Sequence, residues 1–397
     1  MRNTRLWRCA TLAGVLFACP GVASADLTYR GAQMHPWGLG AGRDPADNIR
    51  ELDALQAAGA NTVRMDMLWA EVEPFRDRID PSFQRRTDAF VAAANARGIK
   101  PIMNVAATPC WASSDPRKGG CERYEDRFDG FRYAPADPAE LGEIAAYLAR
   151  RYSSGGYELA AFELWNEPNW CSLQIAGDPA GCPPPAEVDP ASDEKAATYA
   201  AMVQASYPRI KAVAPGLPVL VGALGDYRPI PFLRALYRHG IRGNYDAISI
   251  HPYNRRWPPA SDGSEDGRPL GQVFARYLAQ TRLTMDDNDP RFFPKPIWLT
   301  ETGWSTCALG DPRYSGFCVS EEHQAAFLEE ALEQARGDPF VEGATVYEIR
   351  DSAVGDPMQA GFGLLREDFS AKPSFDAARR VFEAPNVDLL ASTGGPP

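Results

Sequence analysis

From Asp26 onward, short apolar runs alternate with longer stretches whose apolar residues recur every three or four positions. The short runs read as strands and the longer stretches as amphipathic helices. Eight strands are predicted, over 31–35, 62–66, 101–105, 159–165, 218–222, 246–251, 296–300 and 344–349. They are largely apolar without polar alternation, as expected of parallel strands covered on both faces. Helices are predicted around 45–58, 81–97, 137–151, 192–213, 230–239, 269–286 and 320–336, with an eighth near 373–383. Asp44-Pro45, Asp80-Pro81 and Asp137-Pro138 each place a capping acid before a first-turn proline, and Gly59, Gly98 and Gly240 mark helix ends.

Eight strand–helix repeats with no linker-like change of composition predict an α/β fold, a (β/α)8 TIM barrel forming a single catalytic domain over 26–387. A doubly wound open sheet is the alternative. The extra length decides for the barrel. It falls after the third, fourth, sixth and seventh strands, at 106–136, 166–191, 252–268 and 302–319, where a barrel's functional loops emerge. The tail 388–397, ending Gly394-Gly395-Pro396-Pro397, is expected to be disordered.

Residues 1–25 stand apart as a secretory signal. Arg2, Arg5 and Arg8 precede an apolar stretch from Cys9 to Cys19 that is too short to span a bilayer, and Ala23-Ser24-Ala25 offers a cleavage site. A lipoprotein signal with Cys19 as the lipidated residue is the competing reading, which Phe17 and Pro20 fit poorly. No later stretch is a membrane-helix candidate. Loss of the three arginines would deepen the net charge from -11 to -14. That acidity, with no basic run beyond the N-terminus, argues against a nucleic-acid partner.

Six of the eight cysteines follow the signal, as Cys110/Cys121, Cys171/Cys182 and Cys307/Cys318, each pair separated by 11 residues. An exported chain with this spacing is expected to close three local disulfides, one in each of three long loops. Zinc is a poor alternative, since there is no CxxC and His35, His239, His251 and His323 show no ligand spacing.

Two glutamates stand at predicted strand ends. The fourth strand leads into Trp165-Asn166-Glu167-Pro168, and the seventh into Thr300-Glu301-Thr302-Gly303-Trp304. Barrel enzymes carry catalytic groups at such positions, and two carboxyl groups across a sugar-sized cleft can divide acid and nucleophile roles. Either glutamate alone could merely cap a loop. The two motifs, their acids 134 residues apart, resemble the fourth- and seventh-strand signatures of clan A retaining glycoside hydrolases, most like family 39 and related polysaccharide hydrolases. Gly363-Leu364-Leu365 and Lys372-Pro373 resemble the segment after the last strand of such enzymes.

The resemblance implies Glu167 as acid/base and Glu301 as nucleophile. It further implies Asn166 as a hydrogen-bond partner of the sugar's 2-hydroxyl, Arg64 as the cation that keeps Glu301 ionised, and His251 and Tyr253 as residues lining the site. An ion pair of Arg64 with Asp66, and a merely packed His251, are the structural alternatives. Trp304 and Trp37 are expected as sugar platforms. Thr108-Pro109-Cys110-Trp111 resembles a third-strand loop of the clan and adds Trp111. On the eighth strand the clan usually carries Trp; here Val346-Tyr347-Glu348-Ile349-Arg350-Asp351 makes Tyr347 the nearest candidate. The charges at 348, 350 and 351 suggest either a decorated substrate or pairing of Arg350 with Glu348 or Asp351. Gly38-Leu39-Gly40-Ala41-Gly42 lacks the Gly-Lys-Ser/Thr of a phosphate loop and reads as a turn.

The expected protein is a secreted, monomeric retaining glycosidase acting on a β-linked polysaccharide or oligosaccharide, with no cofactor or metal. A non-catalytic sugar-binding barrel and a transglycosylase are the alternatives.

Overall fold

The computed structural model describes residues 26–37, 44–175, 178, 192–261, 264–265, 268–269, 274–291, 294–307, 316–352 and 356–385. The proposed signal, the glycine run after Trp37, Cys182 and the C-terminal tail lie outside these residues.

Eight strands close into a parallel barrel. They are β1 (Tyr29–Met34), β2 (Thr62–Leu68), β3 (Lys100–Ala106), β4 (Ala161–Leu164), β5 (Val219–Leu224), β6 (Ala247–Ile250), β7 (Ile297–Leu299) and β8 (Val341–Val346), with β8 returning to pair with β1. Outside them run helices α1 (Pro45–Ala57), α2 (Pro81–Asn95), α3 (Pro138–Tyr152), α4 (Asp193–Val213), α5 (Pro229–Arg238), α6 (Phe274–Asn288), α7 (Glu321–Gly337) and α8 (Pro373–Glu383). All three Asp-Pro starts cap as their chemistry dictates. The carboxylates of Asp44, Asp80 and Asp137 accept from the backbone N–H of Ala46, Phe83 and Ala139, each contact contributing about 1 kcal/mol.

The strands divide the core by alternation. One set of residues packs outward under the helices. The other fills the barrel, where Ile102, Ala161, Leu220, Ala247 and Trp298 form an apolar plug with Tyr29 stacked on Trp298. Gly343 makes room for this tryptophan, because a Cβ there would come within 2.7 Å of its ring. Two residues further along β3 and β4, on the same face, come Asn104 and Glu163. The barrel thus changes from apolar to polar toward its carboxyl end, the end that holds the site.

The eighth strand begins three residues earlier than predicted and stops at Val346, and Tyr347 just beyond it donates its N–H to the Thr302 carbonyl. Disulfides join Cys110 to Cys121 and Cys307 to Cys318 within the loops after β3 and β7. Cys171 is disulfide-bonded as well. Among the described residues no helix is long and apolar enough to cross a membrane.

Candidate active site

Glu301 follows β7 directly and is held from two sides. Arg64 of β2 donates from Nη1 to its Oε1 at 2.5 Å, and the Tyr253 hydroxyl donates to its Oε2 at 2.7 Å. Arg64 is buried and fully engaged, donating also to Glu163 (2.6 Å), Gln33 (2.9 Å) and Asn166 Oδ1 (2.8 Å). Burial works against its charge, but Glu163 and Glu301 hold the guanidinium above its ordinary value. The phenol of Tyr253 is pushed well above its usual range by burial and the charge of Glu301, so it remains a donor. Arg64 makes no direct pair with Asp66; the Asp66 carboxylate instead meets His35 Nδ1 at 2.5 Å.

Glu167 reaches the same space from the turn after β4. Trp165 and Glu167 both occupy the left-handed region, at φ 69° and 42°. Such backbone costs an L-residue energy and persists only when its surroundings enforce it. Three contacts enforce it here: the Asn104 amide donates to the Trp165 carbonyl, the Trp165 indole to the Ser172 carbonyl, and the Glu167 N–H to the Ala223 carbonyl. Asn169 ties this turn to the loop after β5 through Gly225 and Tyr227. Gly225 lets the Glu167 carboxyl lie close against the backbone, since a Cβ there would come within 2.9 Å of Glu167 Oε1 and displace it.

Burial raises the Glu167 carboxyl to about 7, with Arg64 opposing the shift. His251 stands 3.0 Å from Glu167 Oε1 and 3.5 Å from Glu301 Oε2. Burial lowers its own pKa to about 4, so at neutral pH the ring is uncharged and these contacts are not ion pairs. The ligating atoms of Glu167, His251 and Glu301 lie within 4.8 Å of one another. One histidine nitrogen and two carboxylates could hold a cation, but the grip of Arg64 on Glu301 already supplies positive charge there. A general acid must carry its proton, so if the reaction uses Glu167 in that role kcat/KM is expected to fall about tenfold per unit as pH rises beyond roughly 7. A pH–rate profile flat to pH ~9 would contradict this.

The cleft around the two glutamates has a volume of about 1510 Å3. Among the described residues its lining includes Asn166, Tyr253 and Tyr347, as expected, and His35, Asp66, Trp170, Asp226, Tyr227 and Trp257, which were not assigned there from the sequence. Tyr347 crosses Phe362 and Tyr253 edge-to-face. Arg64 and His251 act from beneath the lining. The three tryptophans expected as platforms do not line the cleft. Trp304 is fully buried, its indole donating to the Trp257 carbonyl and its ring against Phe327. Trp37 packs on Phe83 and donates to the Asp66 carbonyl. Trp111 packs on Trp69 and donates to the Glu73 carbonyl. In each case the indole N–H finds a backbone acceptor inside the protein; Trp304 is buried, and the half-buried Trp37 and Trp111 pack against the core outside the cleft lining.

The charges of the eighth strand are likewise satisfied within the protein. Arg350 pairs with Asp47 and Glu51 of α1, not with its neighbours, and Asp351 pairs with Lys372. Glu348 approaches His35 Nε2 at 3.3 Å. Burial alone would lower the His35 pKa, but Asp66 and Glu348 push it up to about 10, so the ring is cationic. Such a cluster, drawn from β1, β2 and the turn after β8, carries no signal in sequence spacing.

A carboxyl group with its pKa raised toward neutrality, facing an arginine-held carboxylate across the mouth of a (β/α)8 barrel, is an arrangement that glycosidases use. The chain belongs to glycosyl hydrolase family 5, whose cellulase model matches residues 23–276. The match takes in Glu167 and stops before Glu301. No curated protein matches the chain. Among solved structures it is similar to a family 39 glycoside hydrolase from Bacteroides cellulosilyticus WH2, with 23% identity and a TM-score of 0.65 over 90% of this chain and 64% of that one. It is also similar to a GH5_18 enzyme from Streptomyces cattleya (22%, 0.59, 91% and 82%) and to a monomeric β-xylosidase from Caulobacter crescentus CB15 (19%, 0.57, 92% and 70%). The chain thus spans less than two thirds of the family 39 enzyme.

Proposed function

We propose that this glycosidase is secreted and hydrolyses a β-linked polysaccharide or oligosaccharide with retention of anomeric configuration. Glu301 is the nucleophile and Glu167 the acid/base. The observation that carries this reading is the short reach between the two carboxyl groups, one oxygen of each lying within 4.8 Å of the other. Retaining enzymes need about 5 to 5.5 Å, whereas inverting ones leave roughly 6.5 to 9.5 Å for a water.

In the first step Glu301 attacks the anomeric carbon while the Glu167 proton passes to the leaving oxygen, and a glycosyl ester forms as the glycosidic bond breaks. In the second, Glu167 takes a proton from water, whose oxygen attacks the anomeric carbon and frees Glu301. Arg64 and Tyr253 both stabilise the Glu301 carboxylate before and after this cycle. Asn166 spends its oxygen on Arg64, which leaves its NH2 for the sugar's 2-hydroxyl. Every one of these groups comes from one chain, so a monomer suffices.

The β class is supported by neighbours described as a β-xylosidase, an exo-β-1,4-mannosidase and a β-galactosidase. Export is supported by the three-part pattern of residues 1–25 and by the disulfides of the rim loops. NMR of the first-formed product, on whichever glycan of a β-linked panel is cleaved, is expected to show the β-anomer before mutarotation. An α-anomer appearing first would falsify the assignment.

A further inference from the structure

The walls of the cleft differ in charge. Arg132 in the loop after β3, Arg228 at the start of α5 after β5, and Arg255 after β6 all line it. In the closed barrel β3, β5 and β6 lie beside or next but one to β4, so the three arginines stand on the Glu167 side of the cleft. The opposite wall is built by β1, β2 and the turn after β8, with His35, Asp66 and Tyr347. An acid stands against the leaving-group oxygen, so the sugar beyond the scissile bond lies toward the arginines.

Two of the arginines are placed to bind rather than to brace. Among the described residues, Arg132 and Arg255 make no salt bridge; their guanidinium groups lie over Phe131 and Phe317, each at 5.2 Å. Arg228 and Arg255 sit at φ 47° and 53°, where glycine would be free of strain and an arginine is not. In a chain of net charge -11, three cations converging on one wall are not the background. Among the described lining residues Asp226 is the one acid on that wall besides Glu167, and Arg255 faces it. A guanidinium fork matches the paired oxygens of a carboxylate or a sulfate.

We propose that the leaving-group side of the cleft takes an anionic sugar, one carrying a carboxylate or a sulfate ester, held by Arg132, Arg228 and Arg255. This rests on Glu167 being the acid, as proposed above.

The test is titration of the full chain carrying Glu301→Gln with three β-1,4-linked ligands: a glucuronan tetrasaccharide, cellotetraose, and sulfated cellotetraose. At least one anionic ligand is expected to bind about tenfold or more tightly than cellotetraose, with the advantage shrinking as salt is raised. Whichever keeps the advantage identifies the anion. Changing all three arginines to alanine should erase it, and Asp226→Asn should enlarge it by removing a like charge. If the triple variant does not melt cooperatively, Arg132→Ala and Arg255→Ala singly, with the salt series, decide the matter. No tighter binding by either anion, or an advantage that survives loss of the arginines, overturns the proposal. The glycosidase reading is checked apart from it, by Glu301-dependent hydrolysis of neutral aryl β-glycosides.

Discussion

Glu301→Gln is expected to lower kcat by on the order of 10^4-fold or more, the scale seen when an enzyme loses its nucleophile. The amide has nearly the shape of the carboxylate but cannot form the glycosyl ester. Arg64 would still have Glu163, Gln33 and Asn166 as partners, so the barrel should fold and the melting temperature should stay close to that of the parent. Substrate should still bind, because the cleft walls are untouched. The defect is then one of kcat and not of KM. A variant that turns over within tenfold of the parent would remove Glu301 from the reaction and with it the covalent route.

Glu167→Ala is expected to give a defect whose size depends on the substrate. A leaving group that departs readily as an anion, such as dinitrophenolate, needs no proton, so the first step should run at near-parental speed. The second step has then lost its base, and the glycosyl ester should accumulate, visible as a burst of phenolate followed by slow turnover. A poor leaving group such as a sugar alcohol needs the proton, and its rate should fall by about 10^2- to 10^4-fold, the usual contribution of general acid–base catalysis. Added azide, which attacks without a base, should restore the second step and yield a β-glycosyl azide. Equal losses on good and poor leaving groups would show that Glu167 is not the acid. The raised pKa of Glu167 comes from burial, with the Arg64 charge opposing it.

Neither expectation needed coordinates to identify its residue. Glu167 and Glu301 follow apolar strand-like runs and sit in motifs with Trp, Asn and Gly, which local sequence reports directly. The same holds for the eight strands and helices, because a parallel barrel repeats one simple pattern of apolar runs, capping acids and terminal glycines. The Cys110–Cys121 and Cys307–Cys318 pairs were also legible, since their loops are short enough for proximity in sequence to mean proximity in space.

What the tertiary structure alone decided is which way side chains point once eight strands are brought together. Tryptophans at 37, 111 and 304 look alike in sequence to those at 170 and 257, yet only the latter two line the cleft among the described residues. Whether an indole N–H meets a backbone carbonyl in the core or an open cleft depends on loops distant along the chain. Arg350 found its partners some 300 residues away in α1, and His35 found Glu348 across the closure of the barrel. Local composition sets what each residue can do, while barrel closure sets its neighbours, and charge, burial and hydrogen bonding in the site are properties of neighbours.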